Sequence, residues 1–99
     1  MEIKKDIAGE KATLALTGRL DTTTAPQLEA ELAQVLPNAG QIVLDFAQLA
    51  YISSAGLRVL LAAQKQINAK QGAMVLTNVD ESIMEVFEIT GFADILSFA

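Results

Sequence analysis

The sequence predicts a single α/β domain over residues 1–99, in which an N-terminal β-hairpin precedes alternating strands and helices. The expected sheet is mixed, mostly parallel, of four to five strands flanked by helices. Three observations carry this. Residues 41–46 (Gln-Ile-Val-Leu-Asp-Phe) and 73–77 (Ala-Met-Val-Leu-Thr) are apolar runs too short for typical helices. Beside them lie segments whose apolar residues recur every three or four positions, as those of packing helices do. Residues 2–17 instead contain two short strand-like stretches around the turn-forming Ala8-Gly9-Glu10-Lys11.

The first stretch, residues 2–7, has Ile3 and Ile7 among Lys4, Lys5 and Asp6, a composition suited to an exposed edge strand. Residues 12–17 alternate, with Leu14 and Leu16 on one face, and Gly18-Arg19-Leu20-Asp21 ends that strand. A helix is expected from about Ala25, with Thr24 as N-cap, Gln27 three residues on and Pro26 in the first turn. Its apolar face is Leu28, Leu32, Val35 and Leu36, and Pro37-Asn38-Ala39-Gly40 closes it. Residues 41–46 read as a central strand covered on both faces.

A second helix runs from Ser53 or Ser54 to about Lys70, with Leu57, Leu60, Leu61 and Ile67 inward and Arg58, Lys65 and Asn68 outward. Gln71-Gly72 stops it. After the strand at 73–77, Asp80 caps a short helix whose Ile83, Val86 and Phe87 face the core and which Gly91 ends. Residues 95–98 give a last short strand. Function in such sheets gathers at the carboxyl ends of strands, so Asp21, Ser53, Ser54, Asn78 and Asp80 are expected on one rim.

Composition excludes several function classes. Twelve acidic against seven basic residues give a net charge of −5, which disfavours a nucleic-acid or anionic-membrane surface. There is no histidine and no cysteine, so the commonest general base and the usual zinc ligands are missing. No metal and no cofactor is expected. Neither a signal peptide nor an apolar stretch approaching the ~18 residues of a membrane span is visible, and a cytoplasmic protein is the expectation.

The serine pair is the most informative local feature. Ser53 and Ser54 follow a strand and open a helix, where unpaired N–H groups and the positive end of the macrodipole favour an anion or a phosphorylated side chain. The pair also has a plainer reading, since Ser is a preferred N-cap. One hydroxyl suffices for a cap, however, and Gly56 in the first turn lowers helix propensity while allowing another backbone, such as a kinase's, to come close. Ser54-Ala55-Gly56 is the second half of a G-x-S-x-G elbow, but Ile52 stands where the first glycine belongs and no histidine exists as base. No catalytic residue is assigned. Asp21 either begins a turn or supplies a fixed carboxylate beside the serines. No glycine-rich phosphate loop occurs.

Gly18-Arg19-Leu20-Asp21, the segment from Asp45 to Leu61 and Thr90-Gly91-Phe92 resemble the STAS family of bacterial anti-sigma factor antagonists, across essentially the whole chain. The resemblance implies a protein-binding module that, unphosphorylated, sequesters an anti-sigma factor with serine kinase activity and so releases a sigma factor. A phosphoserine phosphatase is the implied second partner. Carried over, Ser54 matches the phosphorylated serine of a D-[ST]-x-G-[LI] motif, with Ser53, in place of the motif's Asp, as the second choice. The implied partner surface is Asp21, Thr22, Ile52, Ser53, Ser54, Ala55, Gly56, Leu57 and Arg58, with Ile52, Leu57 and Ala55 as its apolar contacts. A constitutive scaffold or regulatory subunit of a transport or signalling complex, without a phosphoswitch, is the alternative. A monomer or weak dimer is expected, because an N-terminal edge strand leaves pairing open.

Overall fold

Strand β1 (Glu2–Ala8) and strand β2 (Lys11–Leu20) form the expected hairpin in the structure, a computed structural model that describes all 99 residues. Ala8 pairs with Lys11, leaving Gly9 and Glu10 as a two-residue turn. Gly9 has φ +62°, which the first central position of a type II′ turn requires. Helix α1 (Ala25–Val35), β3 (Gln41–Ile52), α2 (Ser54–Ala69), β4 (Ala73–Thr77), α3 (Glu81–Thr90), a 3₁₀ turn at Phe92–Asp94 and β5 (Ser97–Phe98) follow. This is the element order that the sequence predicts. The last strand is shorter than expected, because the 3₁₀ turn and Ile95-Leu96 take up the residues before it.

The strands lie in the order β1-β2-β3-β4-β5, with β1 antiparallel to β2 and every other pair parallel. Each crossover therefore steps one strand in the same direction. A right-handed crossover fixes which face its helix covers, so three in one direction put all the helices on one side of the sheet. Burial follows suit. The neighbours Ala12, Ile42 and Met74, and likewise Leu14, Leu44 and Leu76, are buried, while Thr13, Val43 and Val75, and Ala15, Asp45 and Thr77, are half-exposed. The expectation of a central strand covered on both faces is thus corrected: β3 has one buried face and one open face. Val43 made the run continuous in sequence, yet it lies on the open side.

Strand β3 also extends six residues past the apolar run, to Ile52, and β2 continues through Gly18 to Leu20. Two bulges explain why period-two reasoning missed this. Register shifts between Ala15 and Thr17 and between Gly18 and Arg19 each add a residue to β3, so its buried side chains fall at Phe46, Leu49 and Ile52.

The core under the helices is one cluster that includes Phe46, Leu60, Ile67 and Phe87, with the rings of Phe46 and Phe98 at 6.3 and 5.4 Å from that of Phe87. Leu61 and Val86, expected inward, are only half-buried, because Val59, Ala63 and Gln64 complete the inner face of α2 and Ile83 and Phe87 that of α3. Asp80 caps α3 as expected, accepting the N–H of Ile83 at 2.9 Å, and Gly91 ends it with φ +82°. No helix is long and apolar enough to cross a membrane.

Gln64 is the one buried polar residue, donating from Nε2 to Asn68 Oδ1 at 2.9 Å while its Oε1 has no partner. A buried unmatched oxygen costs about 1–3 kcal/mol. Gln64→Met, which keeps length and helix propensity, is therefore expected to raise the urea unfolding free energy by about 1 kcal/mol; an unchanged or lower midpoint would refute the orphaned oxygen.

Candidate functional site

Leu20 and Ile52 end β2 and β3 side by side, and the Leu20 carbonyl accepts the Ser53 N–H at 2.9 Å. Two connections therefore leave the sheet from one corner: residues 21–24, leading into α1, and Ser53, leading into α2. Asp21 and the serine pair share this corner as the sequence predicts. Asn78 does not join them. Its side chain donates to Asp45 Oδ1 at 2.9 Å, at the level where β3 stops pairing with β4, while β2 and β3 run on to Leu20 and Ile52. The five further residues of β2 carry that corner about 17 Å along the sheet at the ordinary strand rise. The rim is stepped, and Asn78 belongs to its lower tread.

The two serines have different environments. Ser53 is extended (φ −104°, ψ 174°) and is the N-cap of α2: its carbonyl accepts the Leu57 N–H at 3.0 Å and its hydroxyl lies 3.5 Å from the Gly56 N–H. Ser54, the first helical residue, is exposed, and its hydroxyl makes no hydrogen bond to the protein. The N–H groups of Ser54 and Ala55 have no protein acceptor, and the first turn of α2 carries no acidic residue to offset the macrodipole. Arg58, exposed, stands one turn further along on the same side as Ser54.

Gly56 corrects a second expectation. It is buried, and a Cβ there would lie 2.6 Å from Leu20 Cγ, 2.9 Å from its Cδ2 and 3.1 Å from Ile52 Cγ1. Its function is to let α2 rest directly on the ends of β2 and β3, not to admit another protein's backbone. Ile52 and Leu57 are likewise core residues, 4 and 5 % exposed, so they cannot supply the apolar contacts expected of them. Of the nine residues of the expected surface, Thr22, Ser54 and Arg58 are exposed and Asp21, Ser53 and Ala55 half-exposed, while Ile52, Gly56 and Leu57 support them from below.

Asp21 does the work of a turn. Its Oδ1 accepts the N–H groups of Thr23 and Thr24 at 3.0 and 3.1 Å, with the Thr24 hydroxyl oxygen 3.2 Å away. Thr24 stands at the N-cap position of α1, but its hydroxyl donates to the Arg19 carbonyl at 2.7 Å instead of capping. No capping box forms between Thr24 and Gln27, because Asp21 Oδ1 takes the Thr24 N–H and the Thr24 carbonyl takes that of Gln27. The Thr24 N–H, foremost, holds the Asp21 carboxyl below its ordinary value against the opposing effect of burial, helped by Thr23, the Thr24 hydroxyl and Arg19.

Two contributors to this surface escaped the sequence reading. The Arg19 guanidinium stacks 4.2 Å from the centre of the Tyr51 ring, and Tyr51 is 41 % exposed. The available signal was the apolar Ile52 beside it: strand neighbours face opposite ways, so one of the two had to point out. No group of three or more acidic side chains is gathered that could hold a metal ion.

A family model described as "Mlab, STAS domain" matches residues 3–97. Among curated proteins, BtrV of Bordetella bronchiseptica, provisionally named an anti-sigma factor antagonist, is 43 % identical over 100 residues, spanning all of this chain and 86 % of BtrV. The anti-sigma-B factor antagonist of Listeria monocytogenes is 30 % identical over 82 residues, 82 % of this chain and 72 % of that protein. Among solved structures, the anti-sigma factor antagonist SpoIIAA in its unphosphorylated form superposes with a TM-score of 0.80 at 19 % identity, over 99 % of this chain and 87 % of that one. Its phosphorylated form, from Bacillus, gives 0.79 at 21 % identity, over 99 and 91 %. At such identities the likeness is one of fold.

Two measurements test this geometry. Gly56→Ala gains about 1 kcal/mol of helix propensity but forces a methyl against Leu20, which is fully buried and cannot swing away. Overpacking of this kind costs about 1–3 kcal/mol, so urea denaturation should show a net loss; equal or greater stability would place α2 further from the sheet. Asp21 has its pKa lowered on folding, so its contribution to stability is complete above the ordinary carboxylate value near 4 and is lost as pH falls through the lower folded value. The gap in urea midpoint between the native protein and Asp21→Asn should be constant from about pH 5 to 8 and shrink below about pH 4.

Proposed function

The chain belongs to the STAS-domain family, and on that ground we propose that it is an anti-sigma factor antagonist whose hold on its partner is switched by phosphorylation of Ser54. One observation carries the choice of residue: Ser54 is exposed and its hydroxyl has no partner in the chain, whereas Ser53 is half-exposed at the N-cap position of α2 with its hydroxyl 3.5 Å from the Gly56 nitrogen.

In the transfer, Ser54 Oγ gains the γ-phosphoryl group of ATP and ADP leaves. The hydroxyl proton passes to a base of the kinase, since this chain has no histidine to take it. The product carries about −1.5 to −2 charges at neutral pH. Those charges sit at the positive end of α2, within reach of the unpaired N–H of Ala55 and one turn from Arg58, so the fold accommodates them.

The penalty falls on binding. The unphosphorylated corner offers Thr22, Ala55, Arg58 and the Arg19–Tyr51 stack to an anti-sigma factor, with Asp21 holding its loop in shape. A like charge about 4 Å from the new phosphate costs roughly 4 kcal/mol at an effective dielectric near 20, on the order of a thousandfold in affinity before salt screening. A serine kinase acting on this chain and a phosphatase that removes the group complete the cycle.

Incubation with the anti-sigma kinase and ATP, followed by mass mapping, tests the assignment. Ser54 should carry the phosphate, Ser54→Ala should take none while still binding, and the phosphorylated chain should bind at least about a hundredfold more weakly. Phosphate on Ser53 alone would overturn the choice of residue. No phosphate, with capture by a transport component, would favour the constitutive scaffold.

A further inference from the structure

Strand β1 is the free antiparallel edge of the sheet, seven residues long. The two-residue turn fixes which of its backbone groups are unpaired. Residues flanking such a turn exchange both hydrogen bonds, so Ala8 points its N–H and C=O at Lys11. Successive residues of a strand direct these groups to opposite sides, so Glu2, Lys4 and Asp6 also face β2. Ile3, Lys5 and Ile7 then present their N–H and C=O groups outward, ready to pair with another strand.

The side chains alternate as well. Ile3, Lys5 and Ile7 lie on the helix-covered face, opposite the buried Leu16, Leu14 and Ala12, while Lys4 and Asp6 lie on the open face opposite Ala15 and Thr13. Ile3 packs against the core, but Ile7 is 55 % exposed.

We propose that this edge joins a second copy of the chain, β1 against β1, in the antiparallel register that sets Lys5 opposite the partner's Lys5. The outward groups restrict the choice, because Ile3, Lys5 and Ile7 must face residues of the same set. Three registers centred on the strand satisfy that rule. Setting Lys4 on its own twofold puts Glu2 against Asp6 and Lys4 against Lys4, and setting Asp6 there puts Asp6 against Asp6; both oppose like charges.

The register centred on Lys5 differs. It faces Ile3 with Ile7 twice and Lys4 with Asp6 twice, because Ile3-Lys4-Lys5-Asp6-Ile7 is complementary to its own reverse. Each of the three outward pairs exchanges two hydrogen bonds. The remaining like pair is already compensated within each copy, since Lys5 Nζ lies 3.1 Å from Glu31 Oε2 and donates to Gln34 Oε1 at 3.0 Å. Ile7 gains the cover it lacks in the single chain. The antiparallel join points the two Ser54 corners to opposite ends of the continuous sheet, so it neither needs nor blocks the switch proposed for that corner.

Sedimentation equilibrium of the full chain from about 10 μM to about 1 mM tests this. The average mass should rise with concentration from 10.5 kDa towards twice that value. K4D and D6K should each weaken association about tenfold or more at low salt, by turning two opposite-charge pairs into like-charge pairs. The double variant K4D/D6K restores opposite charges and should recover it. Neither side chain takes part in a hydrogen bond or ion pair within the chain, so circular dichroism should be unchanged throughout. Monomeric mass over the whole range, or a dimer indifferent to K4D and D6K, would overturn the proposal.

Discussion

The handedness of the parallel crossovers is the constraint on which everything else in this molecule depends. Three connections step across the sheet in one direction, and a right-handed step fixes the side on which each helix lands. The core must then collect on that side. The buried residues of β2, β3 and β4 align in rows, Leu14, Leu44 and Leu76 among them, under a single helix layer. The other face stays open to water, and β1 is left as an uncovered edge.

That layering also builds the functional corner. With one layer of helices, α2 must descend onto the sheet immediately after β3 ends, and the contact is close enough that only glycine fits at position 56. The helix start is thereby held over Leu20 and Ile52 with its first N–H groups facing solvent. Ser53 spends its polar atoms holding this geometry, and Ser54 is left over. Asp21 contributes in the same manner, its carboxylate folding the neighbouring loop through Thr23 and Thr24. Rigidity below and an unmatched hydroxyl above are properties of one packing arrangement.

Much of this was legible in the chain. The strand at β4 was found to the residue, since Gly72 and Asn78 bound a short apolar run. The element order, the antiparallel first strand, the cap at Asp80 and the stop at Gly91 follow from local chemistry that tertiary structure did not override. What escaped was set by relations between elements. Val43 is apolar and yet faces the open side, so continuity of the run misled about coverage. The six residues after Phe46 follow no single period, because two bulges intervene. Gly56 signalled a close approach, but not that its neighbour was Leu20. Tyr51 and Arg19 lie thirty-two positions apart, and only the shifted register brings them together.

Those bulges have a consequence for how this chain tolerates change in length. A regular strand keeps its two sides apart by counting, and removing one residue from it reverses every side chain beyond the cut. Between Phe46 and Ile52 the count includes two added residues, which together set Leu49 and Ile52 inward and Tyr51 outward. A single deletion at Ala47 or Gln48 would change no charge and remove little apolar surface. It would also leave a single residue opposite Leu16 and so erase the first bulge, with Leu49 still opposite Gly18, Tyr51 still opposite Arg19 and Ser53 still delivered to α2 in phase. The bulges are therefore the places where β3 can give up a residue and keep the corner, whereas a deletion between Gln41 and Asp45, where every residue has its own partner on β2, would turn the side chains beyond it over.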